Sequence, residues 1–360
     1  MMHPKETLSR LDYIDIAKGL GMLTIIWGHV VEFGITNSFV YAFHIPLFFA
    51  LSGCVFDRER YTNYRQFLTK KIKTLLIPYL LFSFATWAIW VIYLKLTTNN
   101  VEGIYHPLLQ TFIAQGSGGY LVHNVPLWFV TCLFVVENIY WVLSKYTPKT
   151  IITISVLLAI VGYYLNTDPY CILYNFDMRE LPWSIEVALS AIIFFGFGHL
   201  FIKKYPHTEI INKVIKHKVS STLMIVLLYI VVLFIANYNG HVTMGSNILG
   251  NPIVFYIGAF CGIIATVMTS IMLSMTKWKF SHVLNFIRWF GRNSYYAMAI
   301  HNPIKGVCVM VVIAILSRAH VFNRYIIGSI SFLTTLLITV ISILILHHII
   351  SFTKQYIKNR

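Results

Sequence analysis

Long apolar runs constrain this chain more than any other feature. They recur at approximately 14–34, 40–56, 74–95, 126–144, 150–166, 182–202, 219–237, 252–275, 294–316 and 325–350. About 20 mostly apolar residues, wound as a helix, cross the hydrocarbon of a bilayer. Inside lipid every backbone N–H and C=O must find its partner within the protein, and a helix does this segment by segment. The expected fold is therefore all-α, a polytopic membrane helix bundle of about ten transmembrane helices. The fifth run is short, and the last is long enough to tilt or project. Composition agrees, with 57% hydrophobic residues, 11% charged and a mean hydropathy of +0.70, where a soluble domain carries about 25% charged residues.

The net charge of +15 invites a nucleic-acid reading, but the positions of the basic residues argue against it. All of the 28 Lys and Arg except Lys95, Arg179, Lys305, Arg318 and Arg324 fall on alternate connections and the two ends. Loops on the cytoplasmic side of a membrane protein are enriched in Lys and Arg. This places both termini in the cytoplasm of a multi-pass protein of the cytoplasmic membrane. The outer side receives 96–125, 167–181, 238–251 and 317–324. Aromatics and histidines there, among them His106 and His123, serve either a sugar ligand or the aromatic belt of the interface. Of the five cysteines, Cys54, Cys132, Cys261 and Cys308 lie in expected helices and Cys171 in a loop. None forms a paired motif, so neither a disulfide framework nor a metal site is expected. The first run follows Lys5 and Arg10 and lacks a cleavage-type end, so it is expected to persist as a helix. Residues 1–360 read as one transmembrane unit without internal repeats.

Chemistry concentrates in RLDYIDIAKGLGMLTIIWGHVV, residues 10–31. This run carries Asp15, Lys18 and His29, with Glu32 beside it, and an ionisable group at membrane depth is a functional candidate because lipid does not solvate it. At about 100° and 1.5 Å per residue, Lys18 and His29 fall within roughly 20° of each other and some 16 Å apart along the axis. Asp15 lies near the same stripe, one turn before Lys18, as an i,i+3 partner. A polar line of this kind must face protein or water. His29 is either a general base or a histidine that bonds a neighbouring helix; Lys18 is either an anchor for an anionic ligand or a snorkelling terminal lysine. No phosphate loop, GxSxG elbow or metal-ligand cluster is present. The adjacent His347 and His348 point about 100° apart on a helix, which argues against a shared metal.

A basic residue followed after ten positions by His in the first helix resembles the acyltransferase 3 family, in its polysaccharide O-acetyltransferase, fucose 4-O-acetylase-like branch. FHIPLFFALSG at 43–53, KKIKTLLIPYLLF at 70–82, PLWFV at 126–130 and GRNSYYAMAIHNP at 291–303 resemble it too, in order and over most of the chain. The resemblance implies acyl transfer from cytoplasmic acetyl-CoA to a hydroxyl of an extracytoplasmic surface-polysaccharide sugar or its lipid-linked precursor, without a metal. His29, Lys18, Asp15 and Glu186 would form the catalytic group. Lys71 and Lys73, a basic-x-basic pair, would join Lys18 in holding the donor's phosphates, unless they serve only the charge bias of the loop. His44 of FHIP, His301 and Trp128 would contact the acceptor. Glu137 and Lys305 read as structural or pore-lining. Two other classes fit the same helices: a carrier for a lipid-linked sugar, and a scaffold in a polysaccharide-synthesis complex. Dependence on coenzyme A separates them from an enzyme.

Overall fold

The computed structural model describes residues 11–97, 103–116, 121–167, 181–275 and 281–358. In chain order the helices are α1 (Asp12–Val30), α2 (Gly34–Tyr41), α3 (His44–Cys54), α4 (Tyr64–Lys71), α5 (Ile77–Thr97), α6 (Tyr105–Ile113), α7 (Trp128–Leu143) and α8 (Pro148–Thr167). They continue as α9 (Ile185–Lys204), α10 (His207–Lys216), α11 (Lys218–Asn239), α12 (Pro252–Met275), α13 (Ser281–Arg292), α14 (Ser294–Arg318) and α15 (Arg324–Lys358). Among the described residues the only strand-like pairing is an isolated bridge, Thr243 to Ile248. The chain is an all-α, multi-pass membrane bundle.

Nine described helical stretches are long and apolar enough to cross a membrane, and they correspond to the second to tenth expected spans. The first expected span is α1, set apart by Asp15, Lys18 and His29. It lies at the centre of the bundle, in contact with α2, α3, α12, α13, α14 and α15. A helix with an ionisable stripe is stable at membrane depth only when other helices shield that stripe from lipid.

Three local features depart from expectation. The tight turn expected at Gly34 to Ser38 is instead the start of α2, which runs from Gly34 with φ +74° at its first residue. The turn itself lies at 31–33, where the buried Asn37 side chain donates to Gly28 O and Val31 O at 2.8 Å each. These are carbonyls that the end of α1 leaves without an intrahelical donor. A second break follows at Ala42 and Phe43, four residues before Pro46, which has no N–H to offer the preceding turn. The third span begins ten residues before the expected 74, because α4 runs through a π-helical stretch, Ile72–Leu76, into α5. Pro78 has no N–H for Thr74 O, and a wider register there lets the ladder continue. Connections expected to be loops also hold helices α6, α10 and α13.

Small residues bring the central helices together. A Cβ at Gly19 of α1 would collide with Ile287 O of α13, and one at Gly291 of α13 with Asp15 O of α1. The α3–α9 contact is built alike, with Gly53 against Phe195 O and Gly198 against Ala50 O. Where lipid offers no hydrophobic drive between helices, such close approach maximises van der Waals contact.

Candidate active site

Lys18, Met22, Ile25 and His29 succeed one another along a single face of α1, and all four line a cavity of about 180 Å³. Ile45, Phe48 and Ser52 of α3 line it too, as do Trp128 and Phe129 of α7, and Tyr295 and Met298 of α14. The π-helical stretch contributes Leu75, whose carbonyl accepts a hydrogen bond from the Tyr295 hydroxyl at 3.2 Å. Trp128 is held in place by two glycines: a Cβ at Gly245 would lie 3.0 Å from its ring, and one at Gly116 would lie 2.9 Å from it. Three residues singled out in the sequence, Lys18, His29 and Trp128, thus meet around one cavity.

A fourth, His301, lies beside His29, and a fifth, His44, is joined to it through Tyr41. The His301 ring is 5.3 Å from the His29 ring, centroid to centroid. The Tyr41 hydroxyl is 3.5 Å from His29 Nδ1, and the Tyr41 ring packs edge-on against His44 at 4.7 Å. His241, from the connection after α11, is 4.5 Å from the same tyrosine ring. Gly28 makes room for this arrangement, since a Cβ there would lie 2.8 Å from the Tyr41 ring. Tyr41 and His241 were not singled out in the sequence. The only local signal for Tyr41 is its place one turn before His44; His241 carries none.

The backbone fixes the two neighbouring imidazoles. His44 Nδ1 is 2.6 Å from Val40 O, and His301 Nδ1 is 3.0 Å from both Ala297 O and Met298 O. A carbonyl only accepts, so each Nδ1 carries the proton and, in the neutral ring, each Nε2 carries the lone pair. His301 is fully buried, and its Nε2 has no hydrogen-bond partner among the described residues.

A proline positions His301. Pro303 lies inside α14 and cannot donate to Ala299 O. Asn124, from the connection before α7, donates to that carbonyl instead, Nδ2 to O at 2.6 Å. The helix is thereby tied to the HNVPLW segment at 123–128 that also carries Trp128. The preceding residue, His123, bonds Ser83 of α5 through Nε2 at 3.1 Å. His106 bonds Gln110 within α6 at 3.1 Å.

The remaining candidates lie further out. Asp15 accepts from Arg292 Nε of α13 at 2.9 Å, an ion pair that clamps α1 to α13 one turn below Lys18. Lys71 pairs with Glu137 of α7 at 2.7 Å, so one member of the expected donor pair is engaged with a buried carboxylate. Lys73 is exposed within the π-helical stretch next to Leu75. Glu186 is buried in the first turn of α9, where it accepts from Leu181 N at 3.0 Å, and it does not line the cavity. At the other end of α1, Glu32 pairs with Lys305, one turn beyond His301, at 2.9 Å. Arg179 and Cys171 lie outside the described residues. Among the described residues no group of three or more His, Cys, Asp and Glu could hold a metal ion.

The geometry is a narrow, mostly apolar passage with a lysine towards one end and a cluster of imidazoles at the other. The acyltransferase 3 family model, described as an acyltransferase domain, matches residues 11–348. No curated protein and no solved structure matches the chain. The match covers nearly the whole sequence, and the chain belongs to this family: it is a multi-pass membrane acyltransferase.

Proposed function

We propose that this acyltransferase moves an acetyl group from cytoplasmic acetyl-CoA to a hydroxyl of an extracytoplasmic sugar, on a surface polysaccharide or its lipid-linked precursor, as in the O-acetyltransferase branch that its motifs resemble. The observation that carries this reading is the single cavity wall shared by Lys18 and His29. The end of α1 bearing Asp12 faces the cytoplasm in this reading, consistent with the distribution of Lys and Arg over the connections. The donor's phosphates stay at that surface near Lys73, and Lys18 receives the inner part of the donor. The thioester reaches His29, some 16 Å along the helix. The acceptor arrives from the opposite side, past Tyr41, His44 and the Glu32–Lys305 pair.

The chemistry needs one base. Neutral His29 takes the proton of the acceptor hydroxyl as its oxygen bonds to the acetyl carbon. The carbon–sulfur bond then breaks, and the departing thiolate recovers the proton from His29. Charge appears only transiently, in a site from which lipid and apolar side chains exclude bulk water, so the surrounding dipoles act at short range and low dielectric. A passage lined by Phe48, Trp128 and Met298 and of about 180 Å³ suits an acetyl group better than a long acyl chain. The test is consumption of labelled acetyl-CoA by the purified protein in lipid nanodiscs. It is combined with mass spectrometry of the cell-surface glycan with and without the protein. Acetyl-CoA consumption and loss of O-acetyl groups support the reading; indifference to coenzyme A points to a carrier or scaffold instead.

A further inference from the structure

We propose that His301 is the positioning residue for His29: its Nε2 lone pair accepts the second N–H of His29 when that ring becomes an imidazolium during transfer. This rests on His29 being the base, as set out above. A base that takes a proton from a hydroxyl ends with two N–H groups. In acyl-transfer sites built on other folds, a third group accepts the one that faces away from the substrate, which fixes the ring and stabilises its charge. A buried imidazolium whose second N–H finds no acceptor would carry the full cost of an unsatisfied charged donor.

Among the described residues His301 offers His29 a buried, unpartnered nitrogen acceptor, while the Tyr41 hydroxyl stands only at the long distance of 3.5 Å. His301 Nδ1 is committed to Ala297 O and Met298 O, so its tautomer is fixed and Nε2 is the acceptor nitrogen. That nitrogen is buried and unpartnered among the described residues, and its ring is 5.3 Å from His29 with the planes inclined at 41°. No hydrogen bond joins the rings in the resting geometry. The His29 side of the contact is adjustable, because among the described residues a single long approach of 3.5 Å, from Tyr41, holds its ring nitrogens. His301 itself is held on its helix: α14 contains Pro303, and Asn124 donates to Ala299 O, the carbonyl that the proline leaves without a donor, two residues before His301. His44 has the same fixed tautomer, yet its ring lies against Tyr41 rather than against His29. During transfer the hydroxyl proton moves to one nitrogen of His29, and the N–H on its other nitrogen swings onto His301 Nε2. Release of the proton to the thiolate returns both rings to neutral.

Asn and Gln at position 301 separate this role from mere support. His301→Asn keeps an amide that can reach the α14 carbonyls but has no atom where Nε2 stands. His301→Gln can present a carbonyl oxygen there. Purified full-length protein in nanodiscs is assayed for acetyl transfer, with elution on size-exclusion chromatography as the check on folding. His301→Asn is expected to lower kcat by about 10- to 100-fold, the size of loss seen when a partner that orients a metal-bound imidazole is removed. The KM for acetyl-CoA should hold, since the loss is confined to the transition state. His301→Gln is expected to recover most of kcat. Wild-type kcat in folded His301→Asn overturns the proposal, as does equal impairment of the two variants. If one variant does not fold, the other against wild type decides: active Gln supports the acceptor role, and active Asn refutes it. Failure of the underlying reading looks different: His29→Ala would then transfer acetyl at the wild-type rate, whatever stands at 301.

Discussion

Replacing Lys71 by Met should destabilise the protein without any change in how it handles its donor. Glu137 is 5% exposed, Lys71 Nζ lies 2.7 Å from its Oε1, and the other carboxylate oxygen has no partner among the described residues. Removing one partner of a buried ion pair leaves the other as an uncompensated charge, at a cost of about 3–5 kcal/mol. The Lys71 side chain keeps some contact with solvent, with 19% of it exposed, so the lower end of that range applies, about 3 kcal/mol. Adding Glu137→Gln to Lys71→Met removes the stranded charge and should restore most of the loss. The assay is unfolding in mixed micelles titrated with SDS, run on wild type, both single variants and the double. The coupling is read from the cycle. Acetyl-CoA kinetics on the same four proteins supply the control. A loss below about 1 kcal/mol in Lys71→Met, the range of exposed pairs, would refute the argument. So would a raised KM for acetyl-CoA with stability unchanged, which would make Lys71 a ligand for the donor. Lys73→Ala carries the opposite expectation: KM rises and stability holds.

Two further outcomes are expected. Accessibility tags at residues 62 and 210 should report the cytoplasm and a tag at 243 the outside, read by membrane-impermeant labelling; the reverse pattern removes the proposed route for the donor. Asn124→Ala should cost about 1–3 kcal/mol by leaving Ala299 O without its donor and should lower acetyl transfer through the displaced His301. The same change in a Pro303→Ala background should cost less, because residue 303 then supplies its own N–H.

The spans were legible because length and hydropathy are sufficient to specify a membrane helix. The run expected at 252–275 coincides with α12, Pro252–Met275. What eluded that reading was the continuation of regular structure beyond the lipid. Lys70, Lys71 and Lys73 look like a loop by charge, yet Lys is a good helix former, and the helix passes through them by way of the π-helical stretch. In the same way α13 is amphipathic and too short to span, so only its contact with α1 reveals it. Within the site, Lys18 and His29 could be paired from the sequence because both sit on one helix, whose period fixes their relative direction. The pairings of Asp15 with Arg292, Lys71 with Glu137 and His29 with His301 join residues far apart in the chain. No local period connects such partners. Glu186 shows the converse: an acidic residue near a helix start is as well explained by its bond to Leu181 N as by chemistry.

The proposed chemistry depends on His29, and acetyl transfer by purified His29→Ala tests it most directly. The variant should fold, because His29 lines a cavity, and under the proposed function it should still bind acetyl-CoA, whose phosphates would stay at the surface near Lys73, beyond Lys18. Its transfer rate should fall by about 10² to 10⁴, the usual contribution of a positioned acid–base group. A rate near that of wild type would show that His29 is not the base and would remove the mechanism proposed here.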